Sequence, residues 1–434
     1  MTTEHKPDGV LLQLLRKAVD VKGVEVSALA LGFLYYFLIL SSYYIIRPIR
    51  DNFGAGNLEN LPLMFTGTLV TMLVANALFS ALVARFSRRR FIPIAYRFFI
   101  SNIVIFLILI ATIPKNMWVG RVFFVWTSVF NLFVISVFWA FMVDVFSSEQ
   151  GKRLFGFISI GGTLGAIVGA SITAGLVQKI GTVKLLLISA VLLELSAQCV
   201  RLFPATQWSG SANTMKTEER AIGGGIWTGI IHNFSSLYLL GISSYMLLYA
   251  LTSTLLYFQQ VGVAKAAIPA NEARTAFFAE VDLVVNVLTI LLQAFVTGRL
   301  LKWIGVAATL AILPALTVIG FIAMGIKPLL IVLVIFLTLR RAGNFALARP
   351  ARETLFTVIS REDKYKSKNF IDTVVYRTGD FIGAWTTPAL GWLGLTLTAV
   401  SLVAAPLAAV WLTVSVWLGR KQATLAVARE DHVT

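Results

Sequence analysis

Long apolar runs alternate with short polar breaks along most of the chain, from residue 26 to residue 418. A helix crossing about 30 Å of hydrocarbon needs roughly 20 apolar residues. On that measure there are twelve candidate spans, near 26–50, 61–84, 91–113, 119–145, 155–177, 185–202, 237–261, 276–298, 306–325, 328–358, 369–395 and 397–418. The expected fold is an all-α membrane protein with twelve transmembrane helices, and an even count puts both termini on one side.

Composition agrees with that pattern. Of 434 residues 57% are hydrophobic and 13% charged, and the mean hydropathy is +0.81, a balance that soluble domains do not reach. The first 25 residues carry charges and a short amphipathic stretch (Leu11, Leu12, Leu14 and Leu15 beside Arg16 and Lys17) without a small-residue cleavage site, so no signal peptide is expected. The lone Cys199 excludes an intrachain disulfide and argues against a thiolate metal cage. The formal charge of +16 raises the question of nucleic acid, but the basic residues sit in short loops and within spans, which points to the bilayer and not to a nucleic-acid partner.

Loop charges set the orientation. With the N-terminus in the cytoplasm, the inner side receives Lys6, Arg16, Lys17, Lys22, Arg85, Arg88, Arg89, Arg90, Lys152 and Arg153. It also receives Arg201, Lys216, Arg220, Arg299, Lys302, Arg361, Lys364, Lys366, Lys368, Arg420, Lys421 and Arg429. The outer side receives only Lys115, Arg121, Lys179, Lys184, Lys265, Arg274 and Lys327. The expectation is a bacterial inner-membrane protein with both termini inside.

The longest polar stretch, Pro204 to Gly225, separates the sixth and seventh spans. It divides the chain into a cytoplasmic segment (1–25), a six-helix bundle (26–203), a linker (204–236), a second bundle (237–418) and a tail (419–434). The halves echo each other. Ser148 to Arg153 leads into a helix with Gly161, Gly162, Gly165 and Ala166, and Ser360 to Lys364 leads into one with Gly379, Asp380, Gly383 and Ala384. Arg85 to Arg90 answers Gly298 to Lys302 in the same way. Two related halves joined by a central linker resemble the major facilitator superfamily.

Chemistry concentrates at the end of the first span and in the tenth and eleventh. Tyr36, Tyr43, Arg47 and Arg50 share one helical face by their spacing. Guanidiniums beside aromatic rings suit an anionic aromatic ligand, because arginine forks match phosphate oxygens and rings stack on a base. The competing reading has both arginines snorkelling to headgroups beyond Pro48, with Asp51 as a surface partner. Arg340 and Arg341 lie about eleven residues, or about 17 Å, into the tenth span, where a charge costs on the order of 2.5–3.5 kcal/mol. Both therefore face protein, water or a counter-ion. Arg341, Asn344 and Arg352 share a face, and Arg349-Pro350 adds a basic residue and a kink. The eleventh span adds Asp372, Arg377 and Asp380. A salt-bridge network of Arg340 or Arg341 with Asp380, and of Arg377 with Asp372, is the structural alternative to substrate binding, and the two roles are compatible.

Other ionisable residues read differently. Asp144 lies at a helix end near Lys152 and Arg153, suited to a gate or a structural pair. Glu194 is a candidate proton site midway along the sixth span. Arg97 also lies within a span, Glu280 and Asp282 read as structural, and His232 stands alone at an interface. Gly161, Gly165 and Gly169 repeat every four residues, as close helix packing requires.

Tyr43-Tyr44-Ile45-Ile46-Arg47-Pro48-Ile49-Arg50-Asp51 resembles the first-helix signature of the ATP/ADP translocase family of plastids and intracellular bacteria, and of its bacterial relatives. Phe138 to Phe146, with Glu149 through Phe155, is similar to that family's fourth-to-fifth helix region. Arg349 to Phe356 and Lys368 to Gly383 are similar to its tenth-to-eleventh region. The resemblance implies electroneutral or near-electroneutral nucleotide exchange, with Arg50, Glu149, Arg352 and the Arg377 region at charged positions important to transport. The seventh helix, where the family commonly has an acidic residue, here reads Leu251-Thr252-Ser253-Thr254-Leu255-Leu256-Tyr257.

The reading is a monomeric secondary transporter, without cofactor or metal, that moves an organic anion, phosphorylated or nucleotide-like, by alternating access. The alternatives are a proton-coupled exporter of amphipathic molecules leaning on Glu194, Asp372 or Asp380, and a flippase for an anionic lipid. An intramembrane enzyme would need a nucleophile beside a histidine, a metal cluster or paired carboxylates at catalytic depth, and the chain has only three histidines and one cysteine. No Walker A sequence supports primary active transport.

Overall fold

The computed structural model describes residues 21–85, 88–114, 116–203, 236–359, 367–368 and 370–431. The linker expected at Pro204 to Gly225, His232 and the Ser360 to Lys366 turn lie outside the described residues.

Helices account for nearly all of it. They are α1 (Val26–Gly56), α2 (Leu61–Arg85), α3 (Arg88–Thr112), α4 (Met117–Val145) and α5 (Ser148–Leu202). After the linker come α6 (Leu237–Ala267), α7 (Asn271–Leu292), α8 (Gly298–Ile326), α9 (Leu330–Gly343), α10 (Arg349–Leu355), α11 (Tyr376–Trp392) and α12 (Leu397–Asp431). Among the described residues nine helical segments are long and apolar enough to cross a membrane. Two of these, Arg153–Leu202 and Asn271–Ile326, are 50 and 56 residues long, far more than the roughly 20 that one crossing takes. Each contains a single glycine in the left-handed region, Gly181 (φ 77°) and Gly305 (φ 74°), where the helix direction breaks.

Local sequence explains the helix starts. Asn116 caps α4 by accepting from the Trp118 N–H at 2.9 Å. Ser147 and Gln150 form a reciprocal capping box at the start of α5. Three π-helical turns, Gln293–Thr297, Asn344–Ala348 and Ile371–Val375, interrupt the second half. The first two are bonded together: Thr297 Oγ1 donates to the Ala346 carbonyl at 2.8 Å and Gln293 Nε2 to the Phe345 carbonyl at 3.3 Å. Pro350 has no N–H, so it leaves carbonyls of the preceding turn without their usual donor, and side chains of the neighbouring helix supply one.

The chain resolves into two compact units. One comprises residues 1–49, 73–119 and 126–220; the other takes 50–72, 120–125 and 221–434. In the first unit, Gly161, Gly165 and Gly169 of α5 lie against the backbone carbonyls of Phe33, Phe37 and Ser41 on α1, where a Cβ would collide. Tyr36 stacks on Phe138 with centroids 4.3 Å apart, and Ser42 bonds both the carbonyl and the hydroxyl of Ser189. In the second unit, Gly379 and Gly383 of α11 meet the carbonyls of Leu247 and Leu251 on α6 in the same manner, a built Cβ falling 2.8 Å from each oxygen. An apolar cluster of Ala55, Leu61, Phe65, Phe124, Phe258 and Phe278 ties the 50–72 segment to α6 and α7 inside this unit.

Candidate substrate site

The second unit holds a connected set of charges around one stretch of α6, Leu251 to Tyr257. Close packing of α11 glycines on α6 brings Asp380 beside Thr254, whose hydroxyl donates to Asp380 Oδ1 at 3.0 Å. Arg377, one turn earlier on α11, donates to Asp380 Oδ2 at 3.0 Å. At the other end of the stretch the Tyr257 hydroxyl donates to Asp51 Oδ1 at 2.9 Å, and Arg50 reaches the same oxygen at 3.4 Å. The Arg50 guanidinium lies over the Phe124 ring, 4.0 Å from its centroid, and within electrostatic reach of Asp380. Its Nε has no acceptor among the described residues. Asp51 and Asp380 are buried, whereas the side chains of Arg50 and Arg377 keep 18% and 27% exposure, so the guanidiniums present the open surface of the cluster.

The same stretch also receives Arg340. Its Nη1 donates to Ser253 Oγ at 2.9 Å, Nη2 to Thr252 Oγ1 at 2.9 Å and to the Tyr249 carbonyl at 3.3 Å, and Nε to Thr317 Oγ1 at 3.1 Å. Tyr249 and Trp411 rings flank it, with centroids 5.4 and 5.8 Å away. It is 3% exposed and bonded to neutral oxygens throughout. The expected pairing of Arg340 or Arg341 with Asp380 is corrected accordingly. Arg340 is held by hydroxyls, and Arg341 pairs with Asp282 of α7 at 2.6 Å. The expected Arg377 to Asp372 pair is corrected too: Arg377 bonds Asp380, and Asp372 lies 3.7 Å from Arg352. Arg352 also contacts the Met246 sulfur at 2.7 Å. Asn344 opens the π turn that follows Arg341. Arg50, Arg341, Arg352 and Arg377 each have a carboxylate, and the surplus positive charge of this group is Arg340.

Tyr43 and Arg47 lie on α1 within the first unit, where Tyr43 packs edge-on against Tyr44 and the Arg47 guanidinium sits 5.6 Å from the Tyr44 centroid. Asp144 is half-buried near the end of α4, and Glu149 is exposed in the first turn of α5. Glu194 pairs with Arg97 at 3.2 Å on an exposed face.

Arg274, placed in an outer loop by the sequence reading, is instead buried in the first turn of α7. It donates to Asn52 Oδ1 at 2.7 Å and to the Ile268 carbonyl at 3.0 Å, tying the end of α6 to α1 inside the second unit. Sequence reasoning also passed over Thr252, Ser253, Thr254 and Tyr257. The signal was a run of hydroxyls inside an apolar span, in the segment noted only for lacking a carboxylate.

No family model and no curated protein matches the sequence. Several solved structures share the fold. A D-xylose–proton symporter aligns with TM-score 0.63 at 14% identity over 90% of this chain and 97% of that one. The nucleoside transporter NupG aligns with TM-score 0.60 at 12% identity over 90% and 99%. A POT family transporter in complex with 5-aminolevulinic acid aligns with TM-score 0.65 at 11% identity over 91% and 96%. The chain is a multi-pass membrane protein with a major facilitator-like fold.

Proposed function

We propose that the protein is a secondary transporter for an organic anion, phosphorylated or nucleotide-like, working by alternating access of two six-helix halves. The observation that carries this reading is the cluster on α6, where Arg50, Asp51, Asp380 and Arg377 converge on Thr254 and Tyr257. The breaks at Gly181 and Gly305 in the two overlong helices, with α11 counted as a further span, support a reading of twelve spans. Similar folds among solved transporters of a sugar, a nucleoside and a POT-family ligand support a small-molecule cargo.

In this mechanism an anion is drawn to the exposed edges of Arg50 and Arg377, competing with Asp51 and Asp380 for their forks. Arg341 and Arg352, themselves paired, are the further contacts, and Tyr43 and Arg47 extend the set along α1. Exchanging a carboxylate partner for a substrate anion keeps each guanidinium compensated, while the displaced Asp51 and Asp380 keep the hydroxyls of Tyr257 and Thr254. Arg340 does not touch substrate; as the uncompensated charge it raises the potential of the site. Asp51, Asp144, Glu149, Asp372 and Asp380 are the proposed gating and coupling carboxylates.

The test is counterflow in proteoliposomes with labelled nucleotides, sugar phosphates and dicarboxylates. At least one anion should exchange, and Arg50→Gln or Arg377→Gln should weaken it about ten- to a hundred-fold, the scale of one charge-assisted hydrogen bond. Lysine at either position should restore only part, because it keeps the charge and loses the fork. Exchange of no anion, together with proton-driven export of amphipathic compounds, would replace this reading with the exporter.

A further inference from the structure

Arg97 and Glu194 belong to neither the α6 cluster nor any buried network. Both lie in the first unit, Arg97 on α3 and Glu194 on the part of α5 beyond Gly181. Their side chains pair at 3.2 Å while staying 48% and 36% exposed. The face around them is apolar and open. Ile94, Phe98 and Ile105 are exposed on α3, and Leu187, Val191 and Leu195 on α5. Leucine and isoleucine repeating every three or four residues on an exposed face mark a surface against acyl chains, since a water-filled pathway would not be lined that way.

Charges on such a surface are costly unless something polar meets them. Here the polar groups form a ladder: Gln198 Nε2 donates to Glu194 Oε1, and Arg201 donates to Gln198 Oε1 at 3.4 Å. From Glu194 to Arg201 the helix rises about 10 Å, so the ladder runs from the end of the span into the upper acyl region. Among the described residues, Arg97 and Gln198 both use Oε1 of Glu194, which leaves Oε2 to accept from outside, and Arg97 engages one of its nitrogens. The ladder thus offers two guanidiniums and one carboxylate, each with bonding capacity left over.

We propose that this ladder binds a phospholipid whose headgroup carries both a phosphate and a primary amine, from the leaflet at the Leu202 end of the span. The phosphate would lie against Arg201 and Arg97, and the ammonium would donate to Glu194 Oε2. On this assignment Glu194 serves the protein's contact with lipid and not proton coupling.

Native mass spectrometry of the full chain, equilibrated with equal mole fractions of phosphatidylethanolamine, phosphatidylcholine and phosphatidylglycerol, tests this. The wild type should retain phosphatidylethanolamine over phosphatidylcholine by about tenfold, because the quaternary amine cannot donate the charge-assisted hydrogen bond. Glu194→Gln, close in shape, should bring that ratio near one. Arg97→Leu with Glu194→Leu, which keeps Arg201, should abolish the preference and lower retention of phosphatidylethanolamine without lowering the melting temperature. No preference in the wild type, the preference persisting in Glu194→Gln, or phosphatidylglycerol retained best would each overturn the proposal; if the double variant fails to fold, the glutamine variant alone decides.

Discussion

The α1–α5 contact of the first unit and the α6–α11 contact of the second are the same packing with different chemistry. Gly161 and Gly165 face the carbonyls of Phe33 and Phe37, and Gly379 and Gly383 face those of Leu247 and Leu251. That register makes Gly162 the counterpart of Asp380, Tyr36 of Ala250, Leu40 of Thr254 and Tyr43 of Tyr257. In the first unit Tyr36 covers Gly162 and stacks on Phe138. In the second, alanine leaves that space, a carboxylate takes it, and Thr254 and Arg377 bond the carboxylate. Glycine against carbonyl fixes how closely the helices approach, and the position beside it decides what the interface contains. Because the first unit packs in this way with no charge at that position, the Asp380 network is not a requirement of packing. Away from that position, the first unit carries ion pairs such as Glu25–Arg153 and Arg97–Glu194.

The largest expected effect tests the shared packing. Gly165→Leu and Gly383→Leu each drive a side chain into a backbone carbonyl that cannot yield, and each should cost roughly 3 kcal/mol or more, measured by thermal unfolding in detergent. If either is tolerated at wild-type stability, the register is not shared. The next separates packing from charge. Arg377→Gln alone strands Asp380 and should cost about 3 kcal/mol. Adding Asp380→Asn should recover most of that stability and none of the anion exchange. A double variant that exchanges anions at the wild-type rate would make the network purely structural.

The helical plan was legible because apolar runs and polar breaks record the bilayer directly. The glycine repeat was legible in both halves because close packing leaves no other residue type at Gly165 or Gly383. The pairings were less so. Arg377 and Asp380 are three residues apart on one helix and therefore neighbours, whereas Asp372 is five residues away and points elsewhere; spacing alone favoured the pair found. Arg341 with Asp282 and Arg352 with Asp372 depend on how separate helices face one another, which no local pattern encodes. The π turns were hidden because a π turn and an α turn draw on the same residues. Pro350 was the one visible sign.

Arg340 sharpens the contrast between charge that holds the fold and charge that serves the site. Its partners Thr252, Ser253 and Thr317 also bond backbone carbonyls of their own helices, so removing the guanidinium strands none of them. Arg340→Met should therefore change stability by no more than about 1 kcal/mol, since a well-packed apolar replacement for a buried charge is often neutral. Anion affinity should fall roughly tenfold, because one unit charge acting on another across about 10 Å at an effective dielectric of 20 contributes on the order of 1.5 kcal/mol. Unchanged affinity would leave Arg340 with no part in binding.

The smallest expected effect concerns the edge of the first unit. Glu25, just before α1, accepts from the Lys22 N–H and from Gln150, both at 2.9 Å, and from Arg153 at 3.0 Å. Burial alone would raise its carboxyl, but those three donors and the Arg153 charge outweigh it and hold the group below the usual carboxylate range. A depressed acid stabilises the fold fully above its unfolded value, near 4.5, and loses that contribution as pH falls through the lower folded value. The wild type should therefore lose melting temperature faster than Glu25→Gln as pH is lowered from 6 toward 3. The difference between the two curves should be flat above about pH 5. Taking the difference removes the other carboxylates, which titrate in both proteins. Parallel curves down to pH 3 would mean that this contact adds nothing to folding, and that glycine packing, aromatic stacking and the Ser42–Ser189 bonds hold the first unit without it.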